Sequence, residues 1–254
     1  MEDFFFAIIL TAIAGLSTSI GSIIGIFFKD PGPKYLTLSM GFSAGVMILI
    51  SFVELLQAGI DSLGFFIGHI WFFLGFLAMF LIDINISHKY EFEGFENLKG
   101  EKSNGIKMEK TSLLVGLGVF IHNFPEGMAT FAGALKDIQL GIVLAIAIAI
   151  HNIPEGIAVA VPVYTSTKSG KKAFLWSFLS GVSEPLGALI AGLILFPFLN
   201  DVVLGIMLSI VGGFMVFISL DELLPVSRSF GNEHLSILGI LIGMFVMALS
   251  LALL

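Results

Sequence analysis

The phrase His-Asn-x-Pro-Glu-Gly occurs twice in this chain, as His122-Asn123-Phe124-Pro125-Glu126-Gly127 and as His151-Asn152-Ile153-Pro154-Glu155-Gly156. Each copy follows an unbroken apolar run, residues 113–121 and 142–150. Apolar stretches of this kind cross bilayers, where an ionisable side chain is costly and marks function by default. On a helix, His and Glu four positions apart share one face, one turn apart. The proline between them has no amide proton. The carbonyls of Ile121 and Ile150 therefore lose their usual partners and are free to face a ligand or water.

Only Leu135-Lys136-Asp137 separates the two apolar segments, so they are expected to form a tight antiparallel hairpin. With the turn centred between Lys136 and Asp137, His122 lies level with His151. Glu126 then falls about 6 Å further toward the turn and Glu155 about 6 Å the other way. Two imidazoles flanked by two carboxylates suit an elongated site or two adjacent metal ions. A core histidine beside a kink would explain one such phrase. Two copies at matched depth favour a site.

The 254 residues are 57% apolar and 12% charged, with a mean hydropathy of +1.03. A soluble domain carries about 25% charged residues, so the chain reads as an all-α polytopic membrane protein. It has no cysteine, which excludes a disulfide framework and thiolate metal ligation. The start Met1-Glu2-Asp3 lacks the basic residues of a signal peptide, so the first apolar run is expected to remain as a transmembrane helix. The net charge of −7 decides little, because several acids lie inside apolar segments.

Eight spans are read at about 4–28, 35–59, 64–86, 111–134, 138–163, 172–199, 201–226 and 233–254. The break between the sixth and seventh rests on Asn200-Asp201. Eleven of the twelve Lys and Arg residues then lie on one side: Lys29, Lys34, Lys89, Lys99, Lys102, Lys107, Lys110, Lys168, Lys171, Lys172 and Arg228. Lys136 stands alone on the other. The positive-inside rule makes the eleven-residue side cytoplasmic. Both termini are then outside, and the loop of about 87–110 faces the cytoplasm of a multi-pass protein of the cell membrane. That loop mixes both charges with Gly and Asn, has no apolar period, and reads as a mobile solvated linker with His88 its sole histidine.

The spans before and after the hairpin repeat one another. Residues 45–56 align with 213–224 at seven of twelve positions, including Ser51 with Ser219 and Glu54 with Glu222. More faintly, Gly15, Ser17 and Gly21 align with Gly181, Ser183 and Gly187. Span one starts outside and span six inside, so the copies run in opposite directions, the inverted-repeat pattern of secondary transporters. Spans three and eight show no convincing match. The expected layout is 3+2+3: helices 1–3 and 6–8 as inverted repeats around a central hairpin. Glu184, in Ser183-Glu184-Pro185, echoes Thr18 and so is a local addition that is expected to join the site. Met47 lies seven residues before Glu54 on nearly the same face, as packing or as a soft ligand. Asp83 reads as a capping or interfacial charge, and His69 has no assigned role.

These residues resemble the Zrt-, Irt-like (ZIP) divalent metal transporters, in their bacterial zinc-uptake branch, across essentially the whole chain. The resemblance rests on the doubled motif, Ser-Glu-Pro-Leu-Gly at 183–187, Glu54, and Asp-Glu-Leu-Leu-Pro at 221–225. It implies eight helices in a 3+2+3 arrangement, alternating access with one helix bundle sliding as an elevator, inward transport and a binuclear mid-membrane site. One metal would take His122, Glu126, His151 and Glu155, with Met47 nearby. The other would take Asn123, Glu126, Asn152, Glu155 and Glu184. Many members carry a long histidine-rich cytoplasmic loop, which is nearly absent here.

The residues themselves fit transport. Histidine nitrogen and carboxylate oxygen suit zinc, iron, manganese, cobalt and cadmium, and protons should compete with metal at the carboxylates. Glu54 and Asp61 are expected at the outer entrance, with Asp221 and Glu222 receiving the ion on the inner side. The metal is cargo rather than cofactor. The expected partners are divalent ions, the lipid bilayer and a second copy in a homodimer, with no nucleic acid. The rival class is an intramembrane metal-dependent hydrolase. It lacks the His-Glu-x-x-His pattern with its general base, and a helix-bundle di-iron enzyme would use Glu-x-x-His at i, i+3. The expected protein is therefore not an enzyme.

Overall fold

Capping side chains and glycines at positive φ mark several of the turns of this apolar chain. In a computed structural model, residues 2–28, 32–84, 120, 123–195, 198 and 200–253 are described. The helices are α1 (Glu2–Phe28), α2 (Pro33–Ile50), α3 (Leu56–Leu63), α4 (Phe65–Asp83), α5 (described over 123–136), α6 (Ile138–Thr167), α7 (Gly170–Leu195), α8 (Asp201–Ile218), α9 (Leu224–Ser229) and α10 (Glu233–Leu253). Gly64, at φ 82°, separates α3 from α4 in a conformation that side chains resist. Asp137 and Asn200 take extended backbone. Their Oδ1 atoms accept from Leu140 N at 2.9 Å and Val203 N at 3.0 Å, satisfying amides that a helix start leaves unpaired. The α5–α6 hairpin therefore turns on the single non-helical residue Asp137.

Among the described residues, seven stretches are long and apolar enough to cross a membrane. Broad outward-facing apolar surfaces, such as Phe65, Phe66 and Phe73 on α4 and Leu241 and Phe245 on α10, accompany them. The chain is an all-helical polytopic membrane protein. His122, Lys29, and the loop with His88 and its lysines lie outside the described residues.

Two π-helical turns, absent from the sequence reading, interrupt the second and seventh spans at Ser51–Leu55 and Ser219–Leu223. At each, the leading serine turns back on its own helix: Ser51 Oγ donates to Met47 O at 2.6 Å, and Ser219 Oγ to Met215 O at 2.7 Å. Wide turns of this kind are uncommon and concentrate at functional positions. They carry Glu54 and Glu222.

The repeat is written into backbone contacts. A methyl group at Gly15 would stand 2.3 Å from Gly181 O, and one at Gly181 would stand 2.2 Å from Gly15 O. Around that reciprocal pair, Gly21 abuts Ile153 O while Gly187 abuts Phe124 O, and Gly156 abuts Thr18 O while Gly127 abuts Glu184 O. Each member of these pairs is its counterpart under the repeat: α1 maps onto α7 and α5 onto α6. The match that spans three and eight lack in sequence appears here as well. Gly45 abuts Ile240 O as Gly213 abuts Phe72 O, and Gly75 abuts Ile210 O as Gly243 abuts Phe42 O. Close helix approach requires small residues at these positions and leaves the other side chains unconstrained by it.

These seams divide the helices into two units. One holds α1, α5, α6 and α7; the other holds α2, α3, α4, α8, α9 and α10. Among the described residues, no backbone-to-glycine seam joins one unit to the other. They meet where α2 lies along α6 and where Lys136, at the end of α5, reaches Ala58 and Ser62 of α3. A largely apolar cavity of about 330 Å³ opens in that boundary, lined among others by Leu38, Phe42, Ile150, Ile153 and Pro154.

Candidate metal centre

Both lines of the doubled motif that the structure describes run into the first unit's interior. The α6 helix is continuous through Asn152-Ile153-Pro154, so proline removes one ladder bond without ending the helix. Glu126, Asn123, His151, Asn152 and Glu184 are fully buried, and Glu155 is 1% exposed. Donor atoms of Glu126, His151 and Glu155 all lie within 4.8 Å of one another.

This corrects the expectation that Glu126 and Glu155 are spread apart in depth. Glu126 Oε2 lies 3.1 Å from His151 Nε2, on the other copy of the motif. Counting residues from the turn places Cα atoms, but a helical side chain leans toward its helix's N-terminus. Glu126 therefore leans away from the turn and Glu155 leans back toward it. In an antiparallel pair the two leans converge on the level of His151.

Second contacts orient the donors. His151 Nδ1–H donates to Ala147 O at 3.1 Å, which in the neutral ring leaves the Nε2 lone pair facing Glu126. Asn152 Nδ2 donates to Glu184 Oε1 at 2.5 Å and to Ala14 O at 3.0 Å, tying α6 to α7 and α1. Ser43 Oγ, from α2, lies 3.5 Å from both Glu155 Oε1 and His151 O.

Several buried atoms remain without a hydrogen bond among the described residues: Glu126 Oε1 and Oε2, His151 Nε2, Asn152 Oδ1 and Glu184 Oε2. His151 Nε2 and Glu126 Oε2 are close but do not align as donor and acceptor. Unsatisfied buried polar atoms are few in folded proteins, and burying charge without partners is expensive. Here they converge, and they are the nitrogen and oxygen donors that a borderline divalent cation accepts. Zinc stands about 2.0–2.2 Å from such donors, so the three within 4.8 Å need only small adjustment to share one ion.

The other residues singled out from sequence fall elsewhere. Met47 is fully buried one turn beyond Ser43. Glu54 is half-buried in the first π turn, and Asp61 is exposed near the end of α3, accepting from Gln57 Nε2 at 2.8 Å. In the second π turn Asp221 is exposed and Glu222 half-buried. None of these four acids belongs to the buried donor group. Asp83 is buried at the end of α4, and His69 Nδ1 bonds Phe65 O at 2.7 Å. Sequence reading missed Ser43 and the Ala14 carbonyl. Ser43 had a signal, because it sits one turn before Met47 on the same face.

A bundle of apolar helices enclosing buried, converging divalent-metal donors defines an integral membrane metal-handling protein. Residues 86–251 match the family profile described as ZIP Zinc transporter. Relatives resemble the chain from end to end. A zinc transporter ZupT from Clostridium perfringens is 47% identical over 277 residues, covering 100% of this chain and 97% of that protein. The zinc transporter ZupT of Streptococcus mutans is 45% identical over 260 residues, covering 99% and 98%. That of Akkermansia muciniphila is 47% identical over 257 residues, covering 96% and 95%. The chain belongs to the ZIP zinc transporter family.

Proposed function

We propose that this protein carries zinc across the cell membrane into the cytoplasm, by alternating access through the buried donor cluster. The single observation that carries the reading is the convergence of unsatisfied Glu126, His151, Asn152 and Glu184 atoms inside a membrane-spanning bundle. Zinc is the ion named for the relatives. One ion takes His122, Glu126, His151 and Glu155, with Met47 nearby; a second takes Asn123, Glu126, Asn152, Glu155 and Glu184. Glu126 and Glu155 bridge. Glu54 and Asp61 gather ions at the outer mouth, and Asp221 and Glu222 receive them inside.

The eleven-to-one division of basic residues supports termini outside and the 87–110 loop in the cytoplasm. The lipid-facing apolar surfaces suit a protein embedded in the plasma membrane, and a homodimer is the proposed assembly. Purified protein in sealed liposomes tests the reading. Zinc should accumulate faster than in empty vesicles, and the rate should fall when Glu126 is replaced. Zinc flux no greater than the empty-vesicle leak would overturn it. A panel of iron, manganese, cobalt and cadmium, with and without a pH gradient, ranks the cargo and tests proton coupling.

A further inference from the structure

Ser43, like Ser177 and Ser227, is a buried serine that reaches across to another helix; it alone of the three reaches the metal donors. Ser17, Ser22, Ser51, Ser183 and Ser219 each donate to a carbonyl of their own helix at 2.6–2.8 Å. Such back-bonding is the ordinary resting place of a serine hydroxyl inside an apolar helix. Ser43 is fully buried on α2 yet does not turn back. Its acceptors are both on α6, Glu155 Oε1 and His151 O, and both are 3.5 Å away. At that distance neither bond is well made. The hydroxyl is aimed at the donor cluster and loosely held there.

Its position in the fold is equally particular. His151, Asn152, Glu155, Glu126 and Glu184 all belong to the first unit. Ser43 belongs to the second, on α2, which lies along α6 of the first. Under the repeat it corresponds to Val211, so the hydroxyl breaks the symmetry of the bundle. Glu184, which corresponds to Thr18, is a second departure from the repeat beside the same donors.

We propose that Ser43 Oγ is a specificity-determining ligand of the transported ion, contributed by the second unit and exchanged from Glu155 to the metal when the ion arrives. The proposal rests on the zinc-transport reading of the site and adds to it an oxygen donor that sets the site's preference for hard against soft cations. Neutral hydroxyl oxygen suits zinc and manganese better than cadmium, whereas sulfur at the same place reverses the order.

The chain has no cysteine, so Ser43→Cys introduces a unique thiol of nearly the same size. Purified Ser43→Cys protein titrated with cadmium should develop the ultraviolet thiolate-to-cadmium charge-transfer band, which wild type cannot show. In liposomes the cadmium-to-zinc ratio of initial rates should rise about tenfold, and Ser43→Ala should raise the KM for zinc by about tenfold while changing the maximal rate less. Absence of the band, with Ser43→Ala at wild-type KM while wild type transports zinc, overturns the role of Ser43 and leaves the transport reading intact. A wild-type protein that moves no zinc overturns the transport reading instead, whatever the spectrum shows.

Discussion

Asn152 grips Glu184 across the α6–α7 boundary, Nδ2 to Oε1 at 2.5 Å, while the same amide holds Ala14 O on α1. One short side chain thus ties three helices together beside the metal donors and leaves its own carbonyl oxygen and Glu184 Oε2 unsatisfied. Both residues lie outside the converging group of Glu126, His151 and Glu155.

Glu126→Ala and Glu155→Ala should nearly abolish zinc uptake, because each removes a buried carboxylate from the converging donor group, and in the proposed site each would serve two ions. Asn152→Ala and Glu184→Ala should keep about a tenth or more of the rate, with altered metal preference. Initial uptake rates per protein in the membrane decide the matter. Unchanged rates in both central glutamate variants would make the hairpin a structural element only.

The reciprocal glycines make a stability prediction. A Cβ at either Gly15 or Gly181 would overlap the other's carbonyl, and backbone cannot swing aside as a side chain can. Gly15→Ala and Gly181→Ala should each destabilise the detergent-solubilised protein by at least about 1–3 kcal/mol. Gly32→Ala meets nothing within 4 Å and serves as the control. Equal melting temperatures for all three would show that α1 and α7 do not touch in this way.

The topology is tested with the same convenience of a cysteine-free chain. A single cysteine placed at 87–110 should resist an impermeant thiol reagent in intact cells and react once the membrane is opened. Labelling from outside would reverse the orientation.

Lys136 supplies a pH dependence. At the hairpin tip its ammonium donates to Ala58 O and to Ser62 Oγ, the latter at 2.7 Å. Burial pushes its pKa below the ordinary 10.5, against the pull of Asp61 and Asp201. A lysine whose folded value is lowered binds its proton more weakly when folded than when unfolded. Stability should then rise with pH through the interval between the lowered value and 10.5. Lys136→Met should lose that alkaline gain. Melting curves in detergent at stepped pH measure it, and identical slopes in the two proteins would refute the linkage.

Much of this molecule was readable from residues alone, and for identifiable reasons. Charged residues are rare in a bilayer, so His151, Glu155 and Glu184 announced themselves. Asn200 and Asp137 marked helix starts because capping depends on one side chain. The convergence of Glu126 on His151 was not readable from residue counting, which tracks Cα depth and ignores the lean of the side chains. The π turns escaped because Ser51–Leu55 and Ser219–Leu223 have ordinary helical composition. The relation of α4 to α10 escaped too, since only scattered small residues such as Gly75 and Gly243 record it. Ser43 was overlooked because a serine inside an apolar helix usually satisfies itself.

The glycine seams run within each unit and stop at the boundary between them. Where Gly181 meets Gly15, the backbones interlock like teeth, and sliding by a fraction of a turn would drive atoms into one another. Where α2 meets α6, side chains such as Leu38, Phe42, Ile150 and Ile153 line a cavity of about 330 Å³. Side chains can change rotamer one at a time, so a boundary made of them resists displacement less than one made of abutting backbones. Residue size thus sets the character of each contact: the smallest residues lock each unit, and larger ones line the boundary between them.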